Sequence, residues 1–265
     1  MSNAKGTALI TGASSGIGWE LAKVFAMKGH DLILSARSED KLLQLKKELE
    51  AKYSIKAEVI RADLSKASGA LELFTNVQNK NLSVDILVNN AGLGVFGSFA
   101  TENDWAKEQE CIQVNILALT ELCKRFLPMM VKRKSGKILN VASTAAFQPG
   151  PTMAIYYATK AYVLHFSEAI AEELSGTGVT VTALCPGATE SGFKDAAALE
   201  NSKLFKDKKL PTSLEVATYA YDALMRKQRV AIHGVANYFL AQSVRLMPRN
   251  IVTKVAKKIQ ERDQS

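Results

Sequence analysis

A chain of 265 residues, with 47% hydrophobic and 23% charged side chains and only 6 prolines, has enough apolar surface for one large core and excludes a disordered or linker-rich polymer. The cysteines Cys111, Cys123 and Cys185 form no C-x-x-C pair and leave an odd count, which argues against a disulfide framework or a zinc site and predicts a reducing, cytoplasmic setting. Net charge is +8, which suits an anionic cofactor, nucleic acid or an acidic surface, so its distribution decides its meaning. No apolar stretch has the length of a signal-peptide core or a bilayer span.

Short apolar runs alternate with longer segments of helical period, the pattern of β-α-β units that build a parallel sheet. Strands are expected at residues 7–11, 31–35, 57–62, 84–89, 137–142, 179–184 and 230–233. Helices are expected at about 16–28, 39–52, 67–79, 105–134, 154–174 and 213–226. The predicted class is α/β: a doubly wound, Rossmann-type seven-stranded parallel sheet in a single catalytic domain over residues 1–233, followed by a helical extension over 234–265.

The first strand runs into Thr11-Gly12-Ala13-Ser14-Ser15-Gly16-Ile17-Gly18 and then a helix. That order aims backbone N–H groups and a positive helix end at a pyrophosphate, and glycines let a dinucleotide approach the chain. An ordinary tight turn is the plainer reading; its place between the first strand and first helix favours the nucleotide. An NAD site carries an acid about 20 residues further on to hold the ribose hydroxyls. Here the second strand ends Ser35-Ala36-Arg37-Ser38, with no acid. Arg37 is a planar, permanent cation suited to a 2′-phosphate, with Ser14 and Ser38 as hydroxyl partners, so NADP(H) is expected. Ser38 is also placed to cap the helix that begins at Glu39.

Asp63 follows the third strand, where it also reads as a turn or capping residue, and Asn89-Asn90-Ala91-Gly92 follows the fourth. Asn115 lies in an apolar helical run, where a buried amide must find partners. Ser143 stands at the carboxyl end of the fifth strand, the edge where open α/β sheets bind ligands, and its hydroxyl suits a carbonyl oxygen. In Tyr156-Tyr157-Ala158-Thr159-Lys160, the first and last residues share a helix face. An ammonium there, with an oxidised nicotinamide, would lower the phenol from about 10, making Tyr156 an acid in reduction and a base in oxidation. Tyr157 and Tyr162 are expected to pack. Pro186-Gly187 follows the sixth strand, residues 192–210 read as a mobile segment over the sheet's carboxyl edge, and Thr212 with Glu215 has capping-box spacing.

The spacing T-G-x-x-x-G-x-G, followed in order by Asp63, Asn89-Asn90-Ala91-Gly92, Asn115, Ser143, Tyr156-x-x-x-Lys160 and Pro186-Gly187, resembles the short-chain dehydrogenase/reductase family over about residues 5–233. The resemblance implies an oxidoreductase that interconverts a carbonyl and a secondary alcohol. It implies Asn115, Ser143, Tyr156 and Lys160 as the catalytic set, with Lys160 also on the nicotinamide ribose and Asn115 in a kinked helix whose backbone-bound water relays protons. It further implies cofactor contacts from Gly12, Ser14, Ser15, Gly16, Ile17, Gly18, Arg37, Asp63 at the adenine, Asn90 beside the adenosine, Tyr156, Lys160, Gly187, Ala188, Thr189 and Ser191. Family members often carry threonine where this chain has Ser191, which keeps a hydroxyl for the carboxamide.

Ala145, Phe147, Gln148, Pro149 and Met153, with Leu93, Val95 and Phe193, would line the entrance, and their mostly apolar character predicts a small or medium apolar substrate. His30, His165 and His233 lack ligand spacing, so no metal is expected. The alternative is a protein of this fold that senses NADPH, or binds a membrane or a partner, without turnover; an intact Ser143, Tyr156 and Lys160 argue against it.

Half the net charge lies in the last 32 residues, where Arg245, Arg249, Lys254, Lys257, Lys258 and Arg262 outnumber Glu261 and Asp263. Ile251, Val255 and Ile259 recur four apart between lysines after Pro248, which predicts a basic amphipathic helix pair broken at a proline. Such a pair packs on the parent domain or a partner subunit, or lies on an anionic membrane. The expected partners are the apolar carbonyl or alcohol, a second copy of the chain and a membrane surface, with no nucleic acid.

Overall fold

A computed structural model of the chain describes residues 5–190 and 210–260. The strands β1 (Thr7–Thr11), β2 (Asp31–Ala36), β3 (Ala57–Arg61), β4 (Ile86–Asn89), β5 (Gly136–Val141), β6 (Val179–Cys185) and β7 (Val230–Ile232) form one seven-stranded sheet in the order β3-β2-β1-β4-β5-β6-β7. All the pairings are parallel. Strand order reverses between β1 and β4, and the crevice beyond their carboxyl ends is where such sheets bind ligands.

The strands are almost continuously apolar because helices cover both faces. Successive side chains point to opposite sides, so Ala8, Ile10, Leu32 and Leu34 join one buried cluster while Leu9 and Ile33 join the other. The first cluster packs under α1 (Gly16–Met27), α2 (Glu39–Lys52) and, much later in the chain, residues 213–225. The second packs under α3 (Gly69–Asn79) and two later helices. The helix expected over 105–134 is in fact three pieces: α4 (Trp105–Ile112), a π-helical segment (Gln113–Ala118) and α5 (Leu119–Lys132). Helix α6 (Ala154–Glu173) then carries the Tyr-x-x-x-Lys motif, and α7 (Ser213–Met225) returns to the first face.

Local signals divide. Thr212 forms its capping box with Glu215: its hydroxyl accepts from the Glu215 N–H at 3.2 Å and its own N–H donates to the Glu215 carboxylate at 2.7 Å. Ser38 sits at the N-cap of α2 but makes no side-chain cap bond, so that end relies on Glu39 and Asp40 facing the helix dipole. Beyond β7, α8 (Val235–Ser243), a 3-10 turn (Val244–Leu246) and α9 (Arg249–Gln260) make an arm held on the domain by buried Ala241, Val252 and Ala256. Among the described residues, no helix is long and apolar enough to cross a membrane.

Candidate active site

The carboxyl ends of the strands open into a cavity of about 1060 Å3. Gly12 and Gly16, at φ +65° and +55°, make the turn after β1. Ser15 precedes α1 with no side-chain cap bond, and no acid stands in the helix's first turn, which leaves its N–H groups to an anion. Gly18 has a different job. A Cβ there would lie 2.2 Å from the Gly12 carbonyl oxygen and 2.4 Å from Asn90 Nδ2, so its bareness lets α1 press onto the turn; it does not line the cavity. Asn90 braces the same turn, Nδ2 donating to the Thr11 and Gly12 carbonyls at 2.9 and 3.3 Å.

Parallel pairing sets the end of β2 beside that turn, and exposed Arg37 lines the cavity there with Ser14 and Ser38. Asp63 lines it from the end of β3 while its Oδ1 accepts from the Ser65 N–H and hydroxyl at 3.1 and 2.7 Å. It is therefore both a turn residue and a cavity wall. Burial raises its carboxyl, but the Ser65 bonds and the charges of Arg37 and Lys66 hold it below its ordinary value.

On the β5 side, Ser143, Tyr156 and Lys160 line the same cavity. Ser143 caps the 3-10 segment Thr144–Phe147, its Oγ accepting from the Ala145 N–H at 3.1 Å, and it hydrogen-bonds the Tyr156 phenol. Lys160 is buried, its Nζ donating to the Val141 carbonyl at 2.8 Å and lying 5.7 Å from the Tyr156 ring centroid. Burial pulls this lysine down to about 8. Burial likewise pushes the Tyr156 phenol above its ordinary value, with the Ser143 bond opposing it. The lowering expected for Tyr156 takes the Lys160 ammonium together with an oxidised nicotinamide; in the chain alone burial prevails. The ammonium is turned to a backbone carbonyl, and desolvation penalises the phenolate.

Asn115 does not line the cavity. It lies in the π-helical segment, a geometry that recurs at functional sites, with Oδ1 accepting from the Leu93 N–H and Nδ2 donating to the Leu93 carbonyl, both at 2.9 Å. Nδ2 also donates to Thr159 Oγ1 at 2.9 Å, and Thr159 donates to the Tyr156 carbonyl at 2.7 Å. Asn115 is thus a positioning residue that ties a cavity wall to the helical turn bearing Tyr156 and Lys160.

The expected bystanders do pack. Tyr157 is buried edge-on against Tyr156 at 6.0 Å, over Gly150, while also lining the cavity, and Tyr162 stacks on Phe166 at 5.7 Å on the exposed side of α6. Ile17, Gly187, Ala188 and Thr189 line the cavity as expected, and Ser191, Phe193 and most of the segment 192–210 lie outside the described residues. Of the expected entrance residues, Leu93, Ala145, Gln148 and Met153 line the cavity, whereas Val95 and Pro149 do not, and Phe147 turns into the core. The sequence reading placed a helix pair in the arm but not at the site: Asn237, Leu240, Ala256 and Ile259 line the cavity as well. A Cβ on Gly187 would lie 2.5 Å from Asn237 Nδ2, a close approach whose partner is remote in sequence. It also missed a buried chain in which Asn89 donates to Asn140 and Asn140 to Ser167, each at 2.9 Å, joining β4, β5 and α6. Among the described residues, no His, Cys, Asp or Glu cluster suits a metal.

A model of the short chain dehydrogenase family matches residues 6–201. A short chain dehydrogenase of Pseudocercospora fijiensis is 39% identical over 189 residues, covering 70% of this chain and 60% of that protein. Among solved structures, a short-chain dehydrogenase from Sphingobium yanoikuyae in complex with NADPH superposes with a TM-score of 0.81 at 32% identity, covering 91% of this chain and 93% of the other. A bulky-bulky ketone specific alcohol dehydrogenase from Comamonas testosteroni gives 0.76 at 31% identity, covering 91% and 92%. A family structure from Burkholderia phymatum in complex with NAD gives 0.80 at 24% identity, covering 100% of both, and speaks to the fold alone.

Proposed function

The chain belongs to the short-chain dehydrogenase/reductase family, an oxidoreductase acting on CH–OH groups, and from that premise we propose that it is an NADPH-dependent reductase of small or medium apolar carbonyl compounds. The observation that carries this reading is one cavity lined by Arg37 at the end of β2 and by Ser143, Tyr156 and Lys160 on the β5 side.

The residues present fit the cofactor. The uncapped start of α1 and the turn at Gly12 and Gly16 suit the pyrophosphate, and Arg37, Ser14 and Ser38 suit a 2′-phosphate. Bound NADPH supplies a hydride to the carbonyl carbon. Ser143 holds the carbonyl oxygen, and Tyr156, whose burial keeps the phenol neutral, donates its proton to that oxygen. Lys160 binds the nicotinamide ribose and carries the nearby positive charge. Asn115 keeps this helical turn in register through Thr159. In oxidation of the alcohol the proton returns to Tyr156.

The NADPH complex of the Sphingobium relative and the ketone specificity of the Comamonas enzyme support the cofactor and substrate class. Leu93, Ala145, Met153 and Leu240 on the cavity wall support an apolar substrate. Three free, buried cysteines support a cytoplasmic setting. The testing experiment is an NADPH-oxidation screen over aldehydes, ketones, diketones and acyl thioesters. Carbonyl-dependent oxidation of NADPH in preference to NADH is expected; none across the panel contradicts the proposal.

A further inference from the structure

More than half of the large apolar side chains exposed among the described residues lie between Val235 and Ile259. Phe239 is 66% exposed and Leu246 is 88% exposed. On α9, buried Val252 and Ala256 hold the helix to the domain, and along the adjoining flank Ile251 and Val255 face solvent one turn apart. Lys254 and Lys258 border that flank. With Arg245, Arg249 and Lys257 they are exposed, and residues 234–260 contain no acid.

Exposed apolar surface of this extent marks a contact site, and the charge decides what covers it. A second copy that met this face through its own equivalent would set cations against cations. An anionic bilayer meets both features: its charge attracts the basic residues, and the headgroup boundary takes up the apolar flank.

We propose that the arm formed by α8, the 3-10 turn and α9 docks on the surface of an anionic lipid bilayer, with α9 lying in the interface. Leu240, Ala256 and Ile259 belong both to the arm and to the cavity wall, so docking sets the cavity beside the lipid. Uptake of an apolar carbonyl compound from the bilayer rests on the proposed reductase reading; the docking itself does not.

The test is co-sedimentation of the full chain with vesicles of phosphatidylglycerol and phosphatidylcholine against vesicles of phosphatidylcholine alone, at ionic strength of about 0.1 M. The expected result is at least roughly tenfold tighter binding to the anionic vesicles, lost at about 1 M salt. A Lys254→Glu, Lys257→Glu, Lys258→Glu chain and a Leu246→Ser, Ile251→Ser chain should each lose that preference while keeping the native circular dichroism spectrum and melting temperature. Equal binding to both vesicles, or undiminished binding by the charge-reversed chain, overturns the proposal. So does a dimer that Leu246→Ser dissociates in a protein that ignores vesicles. Because sedimentation is read without turnover, failure here is distinct from failure of the NADPH-oxidation screen.

Discussion

The two ionisable groups closest to the chemistry are both displaced by burial, in opposite senses. Lys160 is held down to about 8, while the Tyr156 phenol is raised, so over the ordinary pH range the proton donor stays loaded and the lysine is the group that titrates. Lys160 is charged below about pH 8 and loses that charge as pH rises through it. The kcat/KM for NADPH, which reports the free enzyme, should therefore fall above about pH 8, and Lys160→Arg, whose guanidinium stays charged, should flatten that limb at whatever rate it retains. A limb that persists unchanged in Lys160→Arg assigns it to another group. At the other end of the cavity, a charge-assisted phosphate contact is worth about 1.5–3 kcal/mol, so Arg37→Asp should weaken NADPH by roughly ten- to a hundredfold and bring NADH to parity or better. Calorimetric titration with both nucleotides checks this, and equal affinities in the unmodified chain contradict it.

At the scale of elements, what was legible in the sequence was whatever is local or periodic. The seven strands, the glycine turn into α1 and the Thr212 cap follow from apolar runs, turn chemistry and spacing, and all are present. The break of the long helix at the π-helical segment was not readable from periodicity, because an extra residue in a helical turn leaves the apolar pattern of residues 105–134 nearly intact. What holds the break is Asn115 pairing both ways with the Leu93 backbone and reaching Thr159, a contact between three elements that no local window contains. Asn115→Ala leaves the N–H and carbonyl of half-buried Leu93 without that partner, and should cost about 1–3 kcal/mol in urea unfolding. It should also lower kcat more than it alters NADPH affinity. Thr212→Ala removes the side-chain cap at the start of α7 and should cost about 1 kcal/mol, with a smaller effect on kcat than Asn115→Ala. A matching fall in kcat for both variants would mean that Asn115 acts through stability alone.

For the whole molecule, the arm adds a wall to the cavity at the carboxyl ends of the strands. Its amphipathic period was visible in the sequence, but its place on the cavity wall was not, since the other walls that Leu240 and Ile259 share come from strand ends far away in the chain. Leu240→Trp should narrow the substrate side and lower kcat/KM for a bulky ketone by roughly tenfold relative to a small one, with NADPH affinity kept. Equal losses on both ketones would place Leu240 outside the substrate path. The central claim is that Tyr156 gives the proton as hydride leaves NADPH, and single-turnover NADPH oxidation by Tyr156→Phe against the unmodified chain, with calorimetric NADPH binding on each, tests it most directly. A rate lowered by at least about a hundredfold with NADPH affinity retained is the predicted result; near-native turnover in Tyr156→Phe would contradict the account.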